Sequence, residues 1–186
     1  MLDTLPHLTL ALALATLFAA SAAHKLRARE RWPAIVRQYR LLPDVLAVPV
    51  AVLLPLAEAL AAAGLLWQRA GAAGAVTAAT LLFTYAAAMA INLGRGRSAI
   101  DCGCFGPQRR QGIAPWMVGR NLLLAALALA LLLPTDGRVL SAGEPGLAIG
   151  FVVTLAFLYP VLQILLQPPP RTFDDNLRAS RARLGL

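Results

Sequence analysis

The segment from Ser98 to Arg110 reads SAIDCGCFGPQRR and carries Cys102 and Cys104, the only two cysteines of the chain. Thiols at positions i and i+2 close on one another only where the chain bends, because an extended spacing sets their Cα atoms near the upper limit for a disulfide. Gly103 permits that bend. A ring this small holds strain, and strained disulfides are more oxidising and exchange more readily than structural ones. Arg95, Arg97, Arg109 and Arg110 stand around the pair against the single acid Asp101. That balance favours thiolate, the form that attacks disulfides and binds soft metals. Reversible thiol-disulfide exchange is the chemistry these residues suggest first. Two alternatives stay open: a soft-metal (copper or zinc) site completed by His24, as in a carrier or transport subunit, and an inert turn or lipidated cysteine. Zinc is the weaker form of the metal reading, because two cysteines fill half a tetrahedral shell and no second paired cluster follows.

The rest of the chain has to place that pair. Of 186 residues 59% are hydrophobic and 14% charged, with a mean hydropathy of +0.67, far from a soluble domain. Five apolar runs approach bilayer length: about Leu5–Ala23, Val45–Trp67, Ala72–Leu93, Ala114–Leu133 and Leu147–Leu166. Pro43, Gly71, Pro115, Pro134 and Pro168 to Pro170 punctuate them, and Trp32, Tyr39, Trp67 and Trp116 stand where interfacial aromatics are expected. Alanine abundance and the Gly71 to Gly74 spacing allow close helix approach. The fold expected is all-α, a polytopic transmembrane bundle with a four-helix core (residues 1–133) and a fifth transmembrane helix with a basic tail (residues 134–186).

Charge distribution sets an expected orientation. The formal net charge is +8, yet the basic residues sit in clusters between apolar runs with no RNA- or DNA-binding motif, so topology explains them and nucleic acid is not an expected partner. The sequence FAASAAHK resembles a cleavage site, but Asp3 precedes it without a basic n-region, so a retained helix is expected. Basic residues crowd the connection after the first run, that after the third, and the tail; the other sides carry Arg69 and Arg138. The positive-inside rule then places the N-terminus outside and the C-terminus in the cytoplasm.

Parity brings the ends of the first and third runs, the cysteine loop and the start of the fourth to one membrane face. His24, Lys25, Asn92, Arg95, Arg120 and Asn121 gather there as candidates to frame a site. Each also has a plain role: the basic residues snorkel to headgroups, the asparagines join helices, and a lone histidine is commonly satisfied at the interface. Glu58 is separate, well inside the second run, where a carboxylate must be protonated or paired. It reads equally as a proton-relay or quinone-site group and as a buried hydrogen bond across the bundle, with Pro49 and Pro55 able to kink its helix.

INLGRGRSAIDCGCFG, with HKL closing the first run, Pro55 and Glu58 in the second and GRN opening the fourth, resembles the MauE branch of the MauE/DoxX membrane family over roughly Leu5 to Leu133. The resemblance implies an all-helical, DoxX-like bundle in a bacterial inner membrane, tied to thiol redox chemistry. It also implies a thioredoxin-like partner and a role in maturing a disulfide-rich client such as the small subunit of methylamine dehydrogenase. Carried over, Cys102 and Cys104 are the redox pair, framed by Asn92, Arg95, Arg120 and Asn121. A quinone is the electron acceptor that chemical analogy suggests; no other cofactor is expected. A non-catalytic assembly subunit is the remaining alternative. One conflict stands: an exported client needs this chemistry on the periplasmic side, whereas the charge count places the loop in the cytoplasm.

Overall fold

The computed structural model describes residues 3–67, 71–100 and 112–165, with side chains to residue 156. Six helices follow one another: α1 Thr4–Arg27, α2 Trp32–Gln38, α3 Asp44–Leu66, α4 Gly71–Gly94, α5 Pro115–Ala130 and α6 Glu144–Leu165. Cys102 and Cys104 lie outside the described residues.

Each helix has a local cause. The Asp3 carboxylate accepts the Leu5 amide at 2.9 Å and caps α1, while Pro115 opens α5, where its missing N–H costs nothing. Thr9, Thr16, Thr77, Thr80 and Thr84 donate their hydroxyls to the carbonyl one turn back, which satisfies a polar group on an apolar helix. α3 runs unbroken through Pro49 and Pro55.

The chain forms two compact units, residues 1–152 and 153–186. In the first, α1 packs on α3, α3 on α4, α4 on α5 and α5 back on α1, a closed ring of four helices, and α2 lies against α3. The second unit begins with the C-terminal part of α6. The core of the ring is alanine-rich, with Ala61, Ala75, Ala78, Ala125 and Ala128 fully or nearly fully buried around Leu14 and Phe18. Small residues suit a bundle in lipid, where packing rather than water exclusion must hold helices together. The outer face of α3 exposes Val45, Leu53 and Leu60, as a lipid-facing surface would.

Among the described residues three helices, α1, α3 and α4, are long and apolar enough to cross a membrane. The fourth run is shorter than expected: α5 has 16 residues, about 24 Å at 1.5 Å per residue, and Leu131–Leu133 leave it in turns. α2 was not expected; it is a seven-residue helix, WPAIVRQ, too short for hydrophobic periodicity to reveal.

Of the glycine pair, Gly74 makes the close approach: a Cβ there would stand 2.5 Å from the backbone of Gly64 and Leu65 on α3, while Gly71 meets nothing within 4 Å. Gly74→Ala should therefore push α3 and α4 apart and cost about 1–3 kcal/mol, read as a lower melting temperature in detergent, with Gly71→Ala as the neutral control.

The ring closes at the end remote from the cysteine loop through polar ties. His7 Nε2 hydrogen-bonds the Leu131 carbonyl at 3.1 Å, Thr4 Oγ1 donates to Asp136 at 2.7 Å, and Arg138 bridges Asp3 and Glu144. The Thr4 hydroxyl, followed by the Arg138 amide, holds the Asp136 carboxyl below its ordinary range. A depressed carboxyl contributes stability above its unfolded value and loses it as pH falls through its folded value. Amide exchange at the start of α1 should therefore quicken on acidification through the carboxylate range. Asp136→Asn should remove that pH dependence.

Candidate functional site

Two groups of polar side chains lie in the half of the ring toward the cysteine loop. The deeper one forms because the helices are staggered. α1 stops two residues after Lys25, whereas Glu58 lies fourteen residues into α3, about 21 Å from its start, and Tyr85 nine residues before the end of α4. Beyond α1 the chain turns through residues 28–31 and α2 covers the place that α1 vacates.

At the level where α1 ends, Lys25 forms a buried ion pair with Glu58; Lys25 is 5% exposed and Glu58 0%. Ser21, one turn before Lys25, donates to Glu58 Oε1 at 2.9 Å, and Tyr85 donates its hydroxyl to the same oxygen at 2.7 Å. The Lys25 ammonium also reaches Ser21 Oγ at 3.1 Å and the Tyr85 hydroxyl at 3.2 Å. It lies 4.8 Å from the centroid of the Trp32 ring and 4.7 Å from that of Tyr85, within cation-π range. Lys25 thus does not snorkel. Trp32, placed at the interface from sequence, is buried over the ammonium instead, because α2 turns it inward as a roof.

The second group lies at the mouth. Asn92 is fully buried; its amide donates to Ala88 one turn back and its oxygen accepts Arg97 at 3.0 Å. Arg97 also donates to the carbonyls of Gln38 at 2.7 Å and Tyr39 at 3.4 Å, and Arg95 donates to that of Arg40 at 3.3 Å. These are last-turn carbonyls of α2 and its exit, which lack intrahelical partners. Two arginines at the end of α4 therefore strap α2 down. Arg40, held in this way, has φ +48°, a left-handed conformation that non-glycine residues adopt at a cost.

The cysteine loop leaves and returns at this mouth. The Ile113 amide donates to the Ile100 carbonyl at 3.1 Å, and both side chains are buried, 3% and 6% exposed respectively. Gly112 lies so close to Ser98 that a Cβ would stand 2.6 Å from the Ser98 carbonyl oxygen. The two ends of the segment 101–111 are thus pinned together. Ile113 packs with Met89 and Met117, and Tyr85 packs against both this group and the main core. Tyr85 therefore joins the neck of the loop to the Lys25/Glu58 pair.

The remaining candidates lie on the margins. His24 is half-buried beside Lys25, outside its hydrogen-bonded cluster. On α5, Arg120 stacks on Trp116 at 5.4 Å, and the buried Asn121 donates to the Met117 carbonyl at 2.8 Å. Among the described residues neither asparagine donates its amide across helices. Among the described residues no three histidine, cysteine or acidic side chains cluster as a metal site would. Sequence reading missed Ser21, Tyr85 and Arg97 as site residues. Signals existed: Ser21 precedes Lys25 by four residues and Tyr85 precedes Asn92 by seven, spacings that share a helix face.

A closed four-helix ring with apolar spans, a buried ion pair inside it and arginines that strap α2 across one end defines a polytopic helical membrane protein with a polar interior. The chain belongs to the MauE family: the family model "Methylamine utilisation protein MauE" matches residues 4–134. It is 44% identical to the methylamine utilization protein MauE of Paracoccus denitrificans, over 78% of this chain and 80% of that protein. It is 46% identical to the Paracoccus versutus protein of the same name, over 77% and 75% of the two chains, and 42% identical to that of Methylorubrum extorquens, over 77% and 78%. No solved structure matches it significantly.

Proposed function

We propose that this protein is a redox maturation factor of the bacterial inner membrane, acting in methylamine utilisation, whose Cys102 and Cys104 cycle between dithiol and disulfide. The partner is a thioredoxin-like protein, and the client is a disulfide-rich protein such as a methylamine dehydrogenase small subunit. In the oxidising step a thiolate of the partner attacks the Cys102–Cys104 disulfide and the partner's second thiol resolves the mixed disulfide, so that one S–S bond forms in the partner as the one here breaks and the pair is left as a dithiol. Two electrons thus pass from the partner to the pair, which must then be reoxidised.

The observation that supports this reading best is the pinned neck. The Ile113 to Ile100 bond fixes the two described residues that flank the segment carrying Cys102 and Cys104, and Arg95 and Arg97 precede it in the chain, a cationic neighbourhood that would favour thiolate. The working unit is the four-helix part, residues 1–133, with the C-terminal segment as an accessory span. The charge count favours an N-terminus outside and a C-terminus inside, which puts the loop toward the cytoplasm.

Trapping tests the reading. With Cys102→Ser or Cys104→Ser in cells, one of the two variants should accumulate a mixed disulfide with a thioredoxin-like protein, resolved by reductant on gels. Absence of any such adduct from both variants would exclude exchange. Membrane-impermeant thiol labelling of intact cells, with and without prior reduction, reports the face that the loop occupies.

A further inference from the structure

The Lys25/Glu58 cluster holds two buried polar atoms without a partner among the described residues. Glu58 Oε1 accepts Lys25, Ser21 and Tyr85, whereas Glu58 Oε2, equally buried, accepts nothing among the described residues. The indole Nε1 of Trp32, whose ring covers the Lys25 ammonium, is also buried and donates to nothing among them. One orphan acceptor and one orphan donor thus flank the same ammonium. Each costs about 1–3 kcal/mol if left unmade, so an occupant that meets both repays a penalty already present in the fold.

The chemistry of the occupant follows from the pair. It must present an oxygen that accepts from an indole N–H and, in another state, donates to a carboxylate. It must also be soluble in the bilayer, because the buried neighbours on these helices, Phe18, Ala22, Ala61 and Leu82, are apolar. A quinone meets both conditions: its carbonyl accepts from Trp32, and after reduction the same oxygen is a hydroxyl that donates to Glu58. The site already holds one phenol in this manner, since Tyr85 donates its hydroxyl to Glu58.

We propose that Trp32, Lys25 and Glu58 form the headgroup site of a lipid-soluble quinone that reoxidises the cysteine pair. The role rests on the thiol-exchange reading above. Two S–H bonds break, the S–S bond forms, and two electrons and two protons convert the quinone to the quinol.

Binding is tested without the cysteines. The full chain carrying Cys102→Ser and Cys104→Ser, in lipid nanodiscs, is photolabelled with a short-chain azido-ubiquinone. Saturable labelling of peptides that contain Trp32 or Tyr85, weakened about tenfold by Trp32→Phe, which keeps an aromatic face and removes the N–H, supports the site. Glu58→Gln should act likewise, and Trp32→Phe serves where Glu58→Gln fails to fold. Absent labelling, or labelling equal in folded Trp32→Phe, overturns the site and leaves thiol exchange standing. In the cysteine-bearing chain, reduced beforehand and kept anaerobic, one quinone should be reduced per dithiol. Failure of that step with labelling intact overturns the role as oxidant, while thiol exchange is judged separately by the trapped adducts.

Discussion

Lys25→Met should destabilise the bundle by about 3–5 kcal/mol, the range expected when one member of a buried ion pair is removed. The charge left behind is the cause. Glu58 is 0% exposed, and without the ammonium its carboxylate keeps, among the described residues, only the Ser21 and Tyr85 hydroxyls. The second oxygen of the same buried carboxyl has no partner among the described residues to offset the loss. Trp32 and Tyr85 lose the cation between their faces in the same step. The double substitution Lys25→Met with Glu58→Leu should recover most of the stability, because replacing a buried pair by apolar residues of similar volume is often neutral or favourable. Unfolding in mixed micelles measures all four corners of the cycle. Costs of the two single variants that simply add would show that the pair does not act as a unit.

A stable double variant without function would be informative. It would show that the sequence keeps an ion pair in the membrane at no benefit to folding, so that the pair is retained for what it binds or transfers. The two orphan atoms point the same way, since a cluster shaped for stability alone would have met them within the chain.

The bundle was legible because each apolar run is bounded by proline, glycine or arginine, and burial in lipid leaves few alternatives to a helix. The family was legible in the cysteine loop, which the family match then confirmed. The cluster was not. Lys25 and Glu58 lie 33 residues apart, and parity places Lys25 at a membrane face and Glu58 well inside it. They meet because α1 ends early and α3 begins further out, a stagger that depends on α2 occupying the difference. Hydropathy cannot announce a seven-residue helix with arginines on both sides. For the same reason Trp32 read as an interfacial anchor: its position in sequence suits the interface, and only the turn at residues 28–31 carries it back over Lys25. The arginines at the end of α4 read as charge that sets topology. Arg97 also spends its donors on Asn92 and the carbonyls that end α2, so it stands at the mouth for structural reasons whatever the orientation. That weakens the charge count at the one loop where it conflicts with an exported client.

In the Cys102→Ser/Cys104→Ser chain, maturation of the client should fall to background while the bundle keeps its stability to within about 0.5 kcal/mol. A hydroxyl neither ionises near neutral pH nor attacks a disulfide sulfur, so the loss of exchange is complete rather than graded. Stability is spared because the ties at the mouth among the described residues use no sulfur. Ile113 to Ile100 is a backbone bond, Arg97 holds carbonyls and Asn92, and the buried pair lies deeper still. Arg97→Ala should show the opposite balance, with thiols intact, α2 loosened and partial activity, since the neck remains closed. Client maturation is read by the redox state of its cysteines, and bundle stability by melting in detergent. Equal loss of stability in the double serine variant would assign the cysteines a structural role, and full maturation with both sulfurs gone would remove exchange from this protein altogether.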